Sequence, residues 1–297
     1  MKIIIIGQIV FSEKIKKFFL ENGIYAEAYN YADIAKISFY DYYKLIKNAD
    51  IIYFFNGTAI NKLRRLFLIR FLLRKQVIVH FIGTDALNFL NHNHIKKPSW
   101  ILSLLLCNKV FGISKNIVQE LSPYLKIKYI PICFDKLKYP LISYPKEFSA
   151  LIYLPPTNPD FYGFQIIKKI IKKNDDINFI ILGNNDKRLS IFKNVMFKKI
   201  DYNMNMNKIY DQATVLIRLT KHDGLSNMVL ESLARGKHVI WTQPFKYCHH
   251  VLREVKDVQE KIEKIKKLPT NREAMPWIQK NYNSLKLLNQ LKHEIIN

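Results

Sequence analysis

The chain has 297 residues, of which 49% are hydrophobic and 13% aromatic, and it carries 47 Lys and Arg against 24 Asp and Glu. This length accommodates two domains of common size, and this hydrophobic content excludes a chain that is disordered throughout. The net charge of +23 indicates an anionic partner, such as nucleic acid, an acidic membrane surface or a phosphorylated substrate, unless many of the lysines are simply solvated.

The cysteine and histidine spacings exclude several kinds of site. The three cysteines lie far apart without a CxxC spacing, so we expect no disulfide framework, no zinc site and a reducing, cytoplasmic setting. The pairs His92 with His94 and His249 with His250 lack acidic or Cys partners at a metal-binding spacing, so no metal is expected. The apolar run at 2–6 is interpreted as a buried strand and not as a signal peptide, and no segment is long enough to span a bilayer.

In the first half, short runs rich in Ile, Val and Phe alternate with helical segments, which predicts a parallel sheet covered by helices. The strands are expected near 2–6, 24–28, 50–55, 76–81, 109–113 and 127–130. The helices are expected near 12–22, 39–48, 59–74, 98–106 and 114–122. The segment Ile130–Asp135 and the prolines after it break both periodicities, and we interpret it as a linker.

The same alternation resumes after the linker. Strands are expected near 148–154, 177–182, 195–199, 213–219 and 237–242. Between them, 163–173 predicts an amphipathic helix whose lysine face is interpreted as solvated, and the pattern is helical from Val251 onward. We therefore predict an α/β fold of two Rossmann-like, doubly wound parallel-sheet domains facing a cleft, because ligands of such sheets bind outside the carboxyl ends of the strands.

The segment 215–240 is the most informative part of the sequence. It predicts a strand, a polar turn, a helix, a Gly stop and a second strand. Gly224 lies where the turn meets the helix, whose first N–H groups and positive dipole end favour phosphate. A diphosphate could then contact the amides of Leu225, Ser226 and Asn227.

Two acidic residues flank this proposed phosphate site. Seven residues separate Asp223 from Glu231, which places one before the helix and the other about two turns into it, on the same side. Two carboxylates facing one pocket can each bind a pair of adjacent hydroxyls, such as those of a sugar and a ribose. The alternative is an Asp that complements the helix dipole and an ordinary exposed Glu.

This segment resembles the acid-x7-acid donor motif of the retaining GT-B glycosyltransferases of glycosyltransferase family 4. The resemblance implies that Asp223 faces the donor sugar, that Glu231 binds the nucleotide ribose, and that the amides from Gly224 to Met228 contact the diphosphate. It also implies transfer with retention of configuration, without a cofactor beyond the nucleotide-sugar donor and without a metal. Most relatives have Glu where this chain has Asp223, whose reach is shorter.

The resemblance extends in order and spacing through much of the chain. Residues 79–85 resemble a strand-end Gly-Thr/Ser-Asp turn, 111–116 resemble the strand-to-Ser turn of the family, and 129–135 resemble its interdomain linker. The domains implied are an acceptor-side domain at 1–135, a nucleotide-sugar-binding domain at 136–275, and a helix at 276–297 that crosses back to the first domain.

One departure from the family concerns the charges that neutralise the diphosphate. Relatives usually carry an Arg and a Lys after the first strand of the second domain, whereas 153–163 contains neither. Arg218 and Lys221 flank the proposed phosphate site, and we infer that they take over this role, because guanidinium and ammonium groups both bind phosphate.

Three further features of the first half have two interpretations each. His80 is either a hydrogen-bonded histidine at a strand end or a residue that contacts the donor sugar. Asp85 is either a cap of the Gly-Thr turn or a second polar residue of the site. The basic stretch 60–75 is best interpreted as a partly buried domain helix, with contact to an anionic membrane as the alternative.

The sequence therefore predicts a glycosyltransferase that moves a sugar from a nucleotide diphosphate donor to a glycan or lipid-linked acceptor, in cell-surface polysaccharide or glycoconjugate synthesis. The expected location is cytoplasmic, with peripheral attachment at the inner face of the cell membrane left open. The alternative is a non-catalytic GT-B-like subunit that binds sugar or nucleotide. Nucleic-acid binding is not expected, because no helix-turn-helix, zinc-finger or RNP-like motif is present.

Overall fold

A computed structural model describes residues 1–60, 63–91, 97–183, 185–200 and 205–297. Their contacts divide the chain into two compact units, with Met1–Asp135 and Ser284–Asn297 in unit 1 and Lys136–Asn283 in unit 2. Each unit contains one six-stranded sheet. The predicted α/β fold with two parallel sheets is confirmed. His92 and His94, one of the two histidine pairs considered above, lie outside the described residues.

The sheet of unit 1 has the strand order β2-β1-β3-β4-β5-β6, and all its neighbouring strands are parallel. The strands are β1 (Lys2–Gly7), β2 (Tyr25–Asn30), β3 (Ile51–Phe55), β4 (Gln76–Phe81), β5 (Lys109–Gly112) and β6 (Lys128–Tyr129). The helices are α1 (Ile9–Glu21), α2 (Tyr31–Ile34), α3 (Phe39–Ile46), α4 (Leu63–Phe67), α5 (Thr84–Leu90), α6 (Lys97–Leu105), α7 (Lys115–Leu121) and, at the end of the chain, α13 (Ser284–Ile296).

The sheet of unit 2 has the order β12-β11-β10-β7-β8-β9 and is also parallel. The strands are β7 (Ser149–Tyr153), β8 (Asn178–Leu182), β9 (Val195–Lys198), β10 (Val215–Arg218), β11 (His238–Trp241) and β12 (His249–His250). The helices are α8 (Phe164–Lys173), α9 (Met206–Asp211), α10 (Asn227–Ala234), α11 (Val255–Lys266) and α12 (Ala274–Asn281).

The apolar runs of the sequence form strands because they are buried on both faces. In β1 the residues Ile3, Ile4 and Ile5 are fully buried, and all five residues of β3 are buried as well. A parallel sheet covered by helices needs such continuous apolar strands. In α8, the isoleucines Ile167 and Ile170 pack into the core of unit 2, which confirms the amphipathic helix predicted there.

The structure differs from the predicted elements at several places, and the helices α2, α5 and α9 were not among those predicted. The helix expected at 59–74 consists of a 3-10 turn at Gly57–Ile60, the short helix α4 and a π-helical turn at Leu68–Leu72. The short strand β12 was not expected, because two histidines carry no strand signal. The chain rejoins unit 1 at Ser284 and not at 276, because α12 packs against α10 within unit 2.

None of the helices in the described parts of the chain is both long and apolar enough to cross a membrane.

Candidate functional site

The strand order of unit 2 identifies where a ligand site is expected. From β7 the chain proceeds outward through β8 and β9 on one side, and from β10 it proceeds through β11 and β12 on the other. The neighbours β7 and β10, paired at Val215 with Ala150 and at Ile217 with Ile152, therefore form the topological switch point. Ligands of open parallel sheets bind outside the carboxyl ends of the strands at this point. The loops that follow Tyr153 and Arg218 are the loops concerned.

The loop after β10 is organised around a buried ion pair. The Nε atom of Arg218 donates a hydrogen bond to Oδ2 of Asp223, and the side chains are only 12% and 14% exposed. The hydroxyl of Thr220 donates to the same oxygen at 3.3 Å, and the amide of Gly224 donates to Oδ1 of Asp223 at 3.1 Å. Burial alone lowers the pKa of Arg218, but the charge of Asp223 and their hydrogen bond raise it above its usual value. Both side chains are thus held in a fixed, charged arrangement.

The loop after β7 is joined to the loop after β10. The amide of Lys221 donates to the carbonyl of Phe161 at 2.9 Å. Arg253, from the segment that follows β12, donates from Nε to the Leu219 carbonyl at 3.0 Å and from Nη2 to the Asp160 carbonyl at 2.6 Å. Sequence reasoning missed Arg253, since a residue 93 positions from Asp160 gives no local signal.

A glycine makes the close approach of these loops possible. Gly163 has a φ of +88°, and a Cβ atom placed on it would lie 2.7 Å from Cβ of Leu219. Any other residue would therefore be strained in its backbone and would collide with the end of β10. The segment 153–163 contains no Lys or Arg. It approaches the end of β10 closely at Gly163.

Helix α10 begins directly after the ion pair. Ser226 is its N-cap residue, with extended backbone angles, and its carbonyl accepts from the amide of Leu230 at 3.1 Å. The first amides of an α-helix have no partner within the helix and carry its positive dipole end. Gly224 and Ser226 are buried, whereas Leu225, Asn227 and Met228 are half-buried. The predicted helix start is therefore confirmed, and the predicted phosphate contacts lie on one continuous stretch of backbone.

Glu231 lies in the second turn of α10, beside an aromatic and cationic cluster. Tyr210 of α9 is buried, and burial, together with the nearby charge of Glu231, raises the pKa of Tyr210 well above its usual value. Arg235, one turn later, donates to the Glu231 carbonyl at 2.9 Å, and its guanidinium carbon lies 4.4 Å from the centre of the Tyr210 ring. Tyr139 covers the other side of Arg235 at 3.4 Å. Sequence reasoning did not identify Tyr139, Tyr210 or Arg235, which come together only in the folded unit.

The other two predicted site residues, His80 and Asp85, belong to unit 1. His80 is fully buried, its Nδ1 lies 2.8 Å from the hydroxyl of Tyr53, and its ring packs edge-on against Phe55 and Phe111. Burial lowers the pKa of His80 to about 3, although the Ile130 backbone opposes this shift, so the ring is neutral at physiological pH. These contacts match the interpretation of a hydrogen-bonded histidine at a strand end.

Asp85 connects two turns at the carboxyl edge of the unit 1 sheet. Its carboxylate accepts from the amides of Gly57 at 2.7 Å, Gly83 at 2.7 Å, Ile82 at 3.0 Å and Ala86 at 3.0 Å. It is 1% exposed, and burial raises its pKa while the four amides oppose this. The contacts match the interpretation of Asp85 as a capping residue. Asp85 also binds the amide of Gly57, which follows β3, so it links the turn after β3 to the turn after β4.

Unit 1 has its own switch point, between β1 and β3. A cavity of about 230 Å³ lies beside it, lined by Ile6 and Phe54 near the ends of these strands. Arg65 also lines the cavity and is held by the carbonyls of Ile34 at 2.6 Å and Ile37 at 2.7 Å. The predicted site residues of the two halves thus fall into two groups, one at the switch point of unit 2 and one near that of unit 1.

Histidines and acidic residues form no candidate metal centre in the parts of the chain that the structure describes. His249 instead lies with Nε2 at 3.2 Å from Nδ1 of His238, whose Nε2 is 2.9 Å from the carbonyl of Pro269.

Comparison with solved structures gives the same fold. The chain resembles sucrose-phosphate synthase from Thermosynechococcus elongatus, with a TM-score of 0.79, 12% identity, and coverage of 99% of this chain and 98% of that chain. It resembles Anabaena HepE, solved in complex with UDP and glucose, with a TM-score of 0.74, 12% identity and 99% of both chains covered. It also resembles a UDP-forming α,α-trehalose-phosphate synthase from Burkholderia xenovorans, with a TM-score of 0.68, 9% identity, and 100% and 98% covered.

These structures have the GT-B glycosyltransferase fold, and this chain shares it. No protein-family model and no curated protein matches the chain. The comparisons therefore support the fold, and the chemistry of the site has to be argued from its own residues.

Proposed function

We propose that the protein transfers a sugar from a nucleoside diphosphate sugar to an acceptor, with retention of configuration. The observation that carries this proposal is the sequence of groups at the unit 2 switch point: the Arg218–Asp223 pair, the start of α10, and Glu231 in the second turn of that helix. These groups offer, in order, a sugar-binding carboxylate, a diphosphate-binding helix end and a ribose-binding carboxylate. The solved structure of HepE with UDP and glucose has the same fold and supports a donor of this class.

Each group has a distinct task in the proposed reaction. The amides of residues 224–228 hold the diphosphate, because the helix end concentrates N–H donors and positive potential there. Glu231 binds the two ribose hydroxyls, and Asp223 binds hydroxyls of the sugar. As the bond between sugar and diphosphate breaks, negative charge grows on the leaving phosphate, and fixed donors stabilise it by about 3 to 4 kcal/mol each.

Arg218 can serve both Asp223 and the diphosphate. A guanidinium group has five N–H donors, and the contact with Asp223 uses Nε. Because the charge of Asp223 and their hydrogen bond raise the pKa of Arg218, it remains charged during the reaction. Lys221, which is exposed in the same loop, supplies a second cation. These two residues take the place of the Arg and Lys that relatives carry after the first strand.

We assign acceptor recognition to unit 1, whose last segment is the returning helix α13, and donor binding to unit 2 at 136–283. The acceptor class proposed is a glycan or a lipid-linked sugar of polysaccharide or glycoconjugate synthesis, and the location proposed is the cytoplasm. His80 and Asp85 support the acceptor side by fixing the ends of β3 and β4.

A non-catalytic subunit is the second candidate, and a specific observation favours it. Arg218 is already bound to Asp223, and the loop after β7 contributes no cation. A site with this arrangement would bind nucleotide without cleaving the donor.

Calorimetry with a panel of nucleoside diphosphates and their sugars tests the proposal directly. Selective binding of one nucleotide, together with slow release of the diphosphate from its sugar, supports the transferase. Binding without any turnover assigns the chain to the non-catalytic class, and no binding at all contradicts both.

A further inference from the structure

The segment formed by α4 and the π-helical turn after it has apolar residues on both its buried side and its solvent side. Leu66 and Ile69 are buried and fix the segment to unit 1. On the solvent side, Phe67 and Phe71 are each 53% exposed and Leu72 is 68% exposed. A helix on the surface of a soluble domain normally presents polar residues to water. We call Phe67, Phe71 and Leu72 the apolar patch.

The two phenylalanines of the patch contact each other. The rings of Phe67 and Phe71 lie one turn apart, with their centres separated by 4.7 Å. Helix α6 packs against α4, and it exposes Leu102 by 48% and Leu105 by 65%. Isolated exposed apolar residues need no explanation, but two exposed phenylalanines whose rings contact each other do.

Basic residues surround the patch, and the segment 63–75 contains no acidic residue. Arg64 and Arg74 are exposed, while Arg70 and Lys75 are half-buried. Arg74 has a φ of 50°, so the chain turns sharply at the end of the segment and leaves this side chain at the surface. Arg65 points inward, to the carbonyls of Ile34 and Ile37, and Arg70 donates to the Lys75 carbonyl at 3.1 Å.

We propose that this face of unit 1 docks on the surface of an anionic lipid bilayer. Exposed phenylalanine and leucine enter the boundary between headgroups and acyl chains, while Arg and Lys at the margin contact lipid phosphates. Nucleic acid would leave the aliphatic side chains in water. A second copy of the chain would bring two cationic surfaces together at a cost in repulsion. The proposal does not depend on donor chemistry, because the groups assigned to the donor lie in unit 2.

Vesicle flotation tests the proposal with the whole protein. Vesicles of phosphatidylcholine alone are compared with vesicles containing about one third phosphatidylglycerol, whose negative surface attracts basic segments. We expect binding to the anionic vesicles only. The Phe67→Ser/Phe71→Ser variant should bind at least about tenfold more weakly, and Arg64→Gln/Arg74→Gln should lose most of the attraction at low salt.

Matched substitutions elsewhere provide the control. Ile191 and Leu252 of unit 2 are 71% and 61% exposed, so Ile191→Ser/Leu252→Ser removes comparable apolar surface away from the patch. This variant should bind vesicles like the unchanged protein. A second measurement is independent of any loss of folding: in Phe71→Trp, brominated lipids should quench the new fluorescence.

Three results would overturn the proposal. One is the absence of binding to anionic vesicles, and another is equal binding by the Phe67/Phe71 variant and its control. The third is dimerisation that depends on protein concentration and is lost in the Phe67/Phe71 variant, together with no binding of the unchanged protein to vesicles. That result would assign the patch to a second copy of the chain.

Discussion

Arg218 Nε donates a hydrogen bond to Asp223 Oδ2 across a turn that links the end of β10 to the start of α10. The two charges lie five positions apart in the sequence and are almost fully enclosed by the fold. The pair therefore fixes the side chain proposed to face the donor sugar before any ligand arrives.

Removal of the Arg218 charge should reduce catalysis more than donor binding. We expect Arg218→Gln to lower the turnover of diphosphate release about 100-fold, because a fixed cation that stabilises the leaving group is lost and Asp223 loses its partner. The measurement is steady-state release of nucleoside diphosphate. Arg188→Gln is the matched control, since Arg188 pairs with Asp186 two positions away in the same unit, at an exposed site. Equal turnover in the two variants would contradict the role of Arg218.

Removal of the Glu231 carboxylate should strongly weaken nucleotide binding. Two hydrogen bonds from ribose hydroxyls to a charged acceptor contribute about 3 kcal/mol together, so Glu231→Ala should bind nucleotide about 100-fold more weakly. Isothermal calorimetry measures this loss. Glu260→Ala, on the exposed side of α11, removes the same group at a distance from the site and should bind normally. Wild-type affinity in Glu231→Ala would refute the ribose assignment.

Arg253 should act as a positioning residue for both loops of the switch point. Arg253→Gln removes the donors that connect the Leu219 and Asp160 carbonyls, so the loops should separate and donor affinity should fall about tenfold. The dissociation constant and the KM of the donor should rise together, with a smaller change in turnover. Arg272→Gln is the control, because the exposed Arg272 side chain contacts Thr270 Oγ1 instead of the loops. An unchanged KM in Arg253→Gln would show that the loops hold without it.

Asp85→Asn should destabilise unit 1 and leave nucleotide binding intact. The amide side chain offers one oxygen to the four backbone donors now facing a carboxylate, so we expect a loss of about 3 kcal/mol in the free energy of unfolding. Urea unfolding measures it, with the exposed Asp33→Asn as control. Normal stability combined with lost transfer would instead support the alternative, in which Asp85 belongs to the reacting site.

His80 should make the protein less stable in acid. The pKa of His80 is about 3 in the folded chain, and we take its usual value of 6.5 for the unfolded chain. Below pH 6.5 the unfolded chain therefore takes up a proton that the folded chain does not. The stability contributed by neutral His80 is complete above pH 6.5 and decreases by about 1.4 kcal/mol for each further pH unit, until the pH reaches the folded pKa. Urea unfolding at pH 7.5 and pH 5 should show a loss of about 2 kcal/mol from this residue.

Two variants separate His80 from the other histidines. His80→Gln should show a weaker dependence of stability on pH, whereas His293→Gln, at an exposed position, should keep the dependence of the unchanged chain. Burial and the nearby positive charges of His238 and Lys264 also lower the pKa of His249, to about 4, so part of the acid effect should persist in both variants. An identical pH dependence in His80→Gln and the unchanged protein would contradict the assignment.

The local elements and their class follow from the order of residues along the chain. Continuous apolar runs such as Ile3–Ile6 specify buried parallel strands, and the Asp223–Gly224 turn before an amphipathic segment specifies the start of α10. These features depend on neighbours within a few residues, so they can be predicted from the chain in order. The same is true of the spacing that brings Glu231 into the second turn of that helix.

Which of these elements are neighbours depends on contacts between distant parts of the chain. The pairing of β7 with β10 joins residues 65 positions apart, and it creates the switch point that brings the two loops together. Three contacts depend on such long-range neighbours: Arg253 with the two loops, Tyr210 with Glu231, and the Asp85 carboxylate with the Gly57 amide. Parallel pairing and side-chain burial are set by the packing of the whole unit. Local sequence can therefore name the residues of a site, while the fold determines which of them meet.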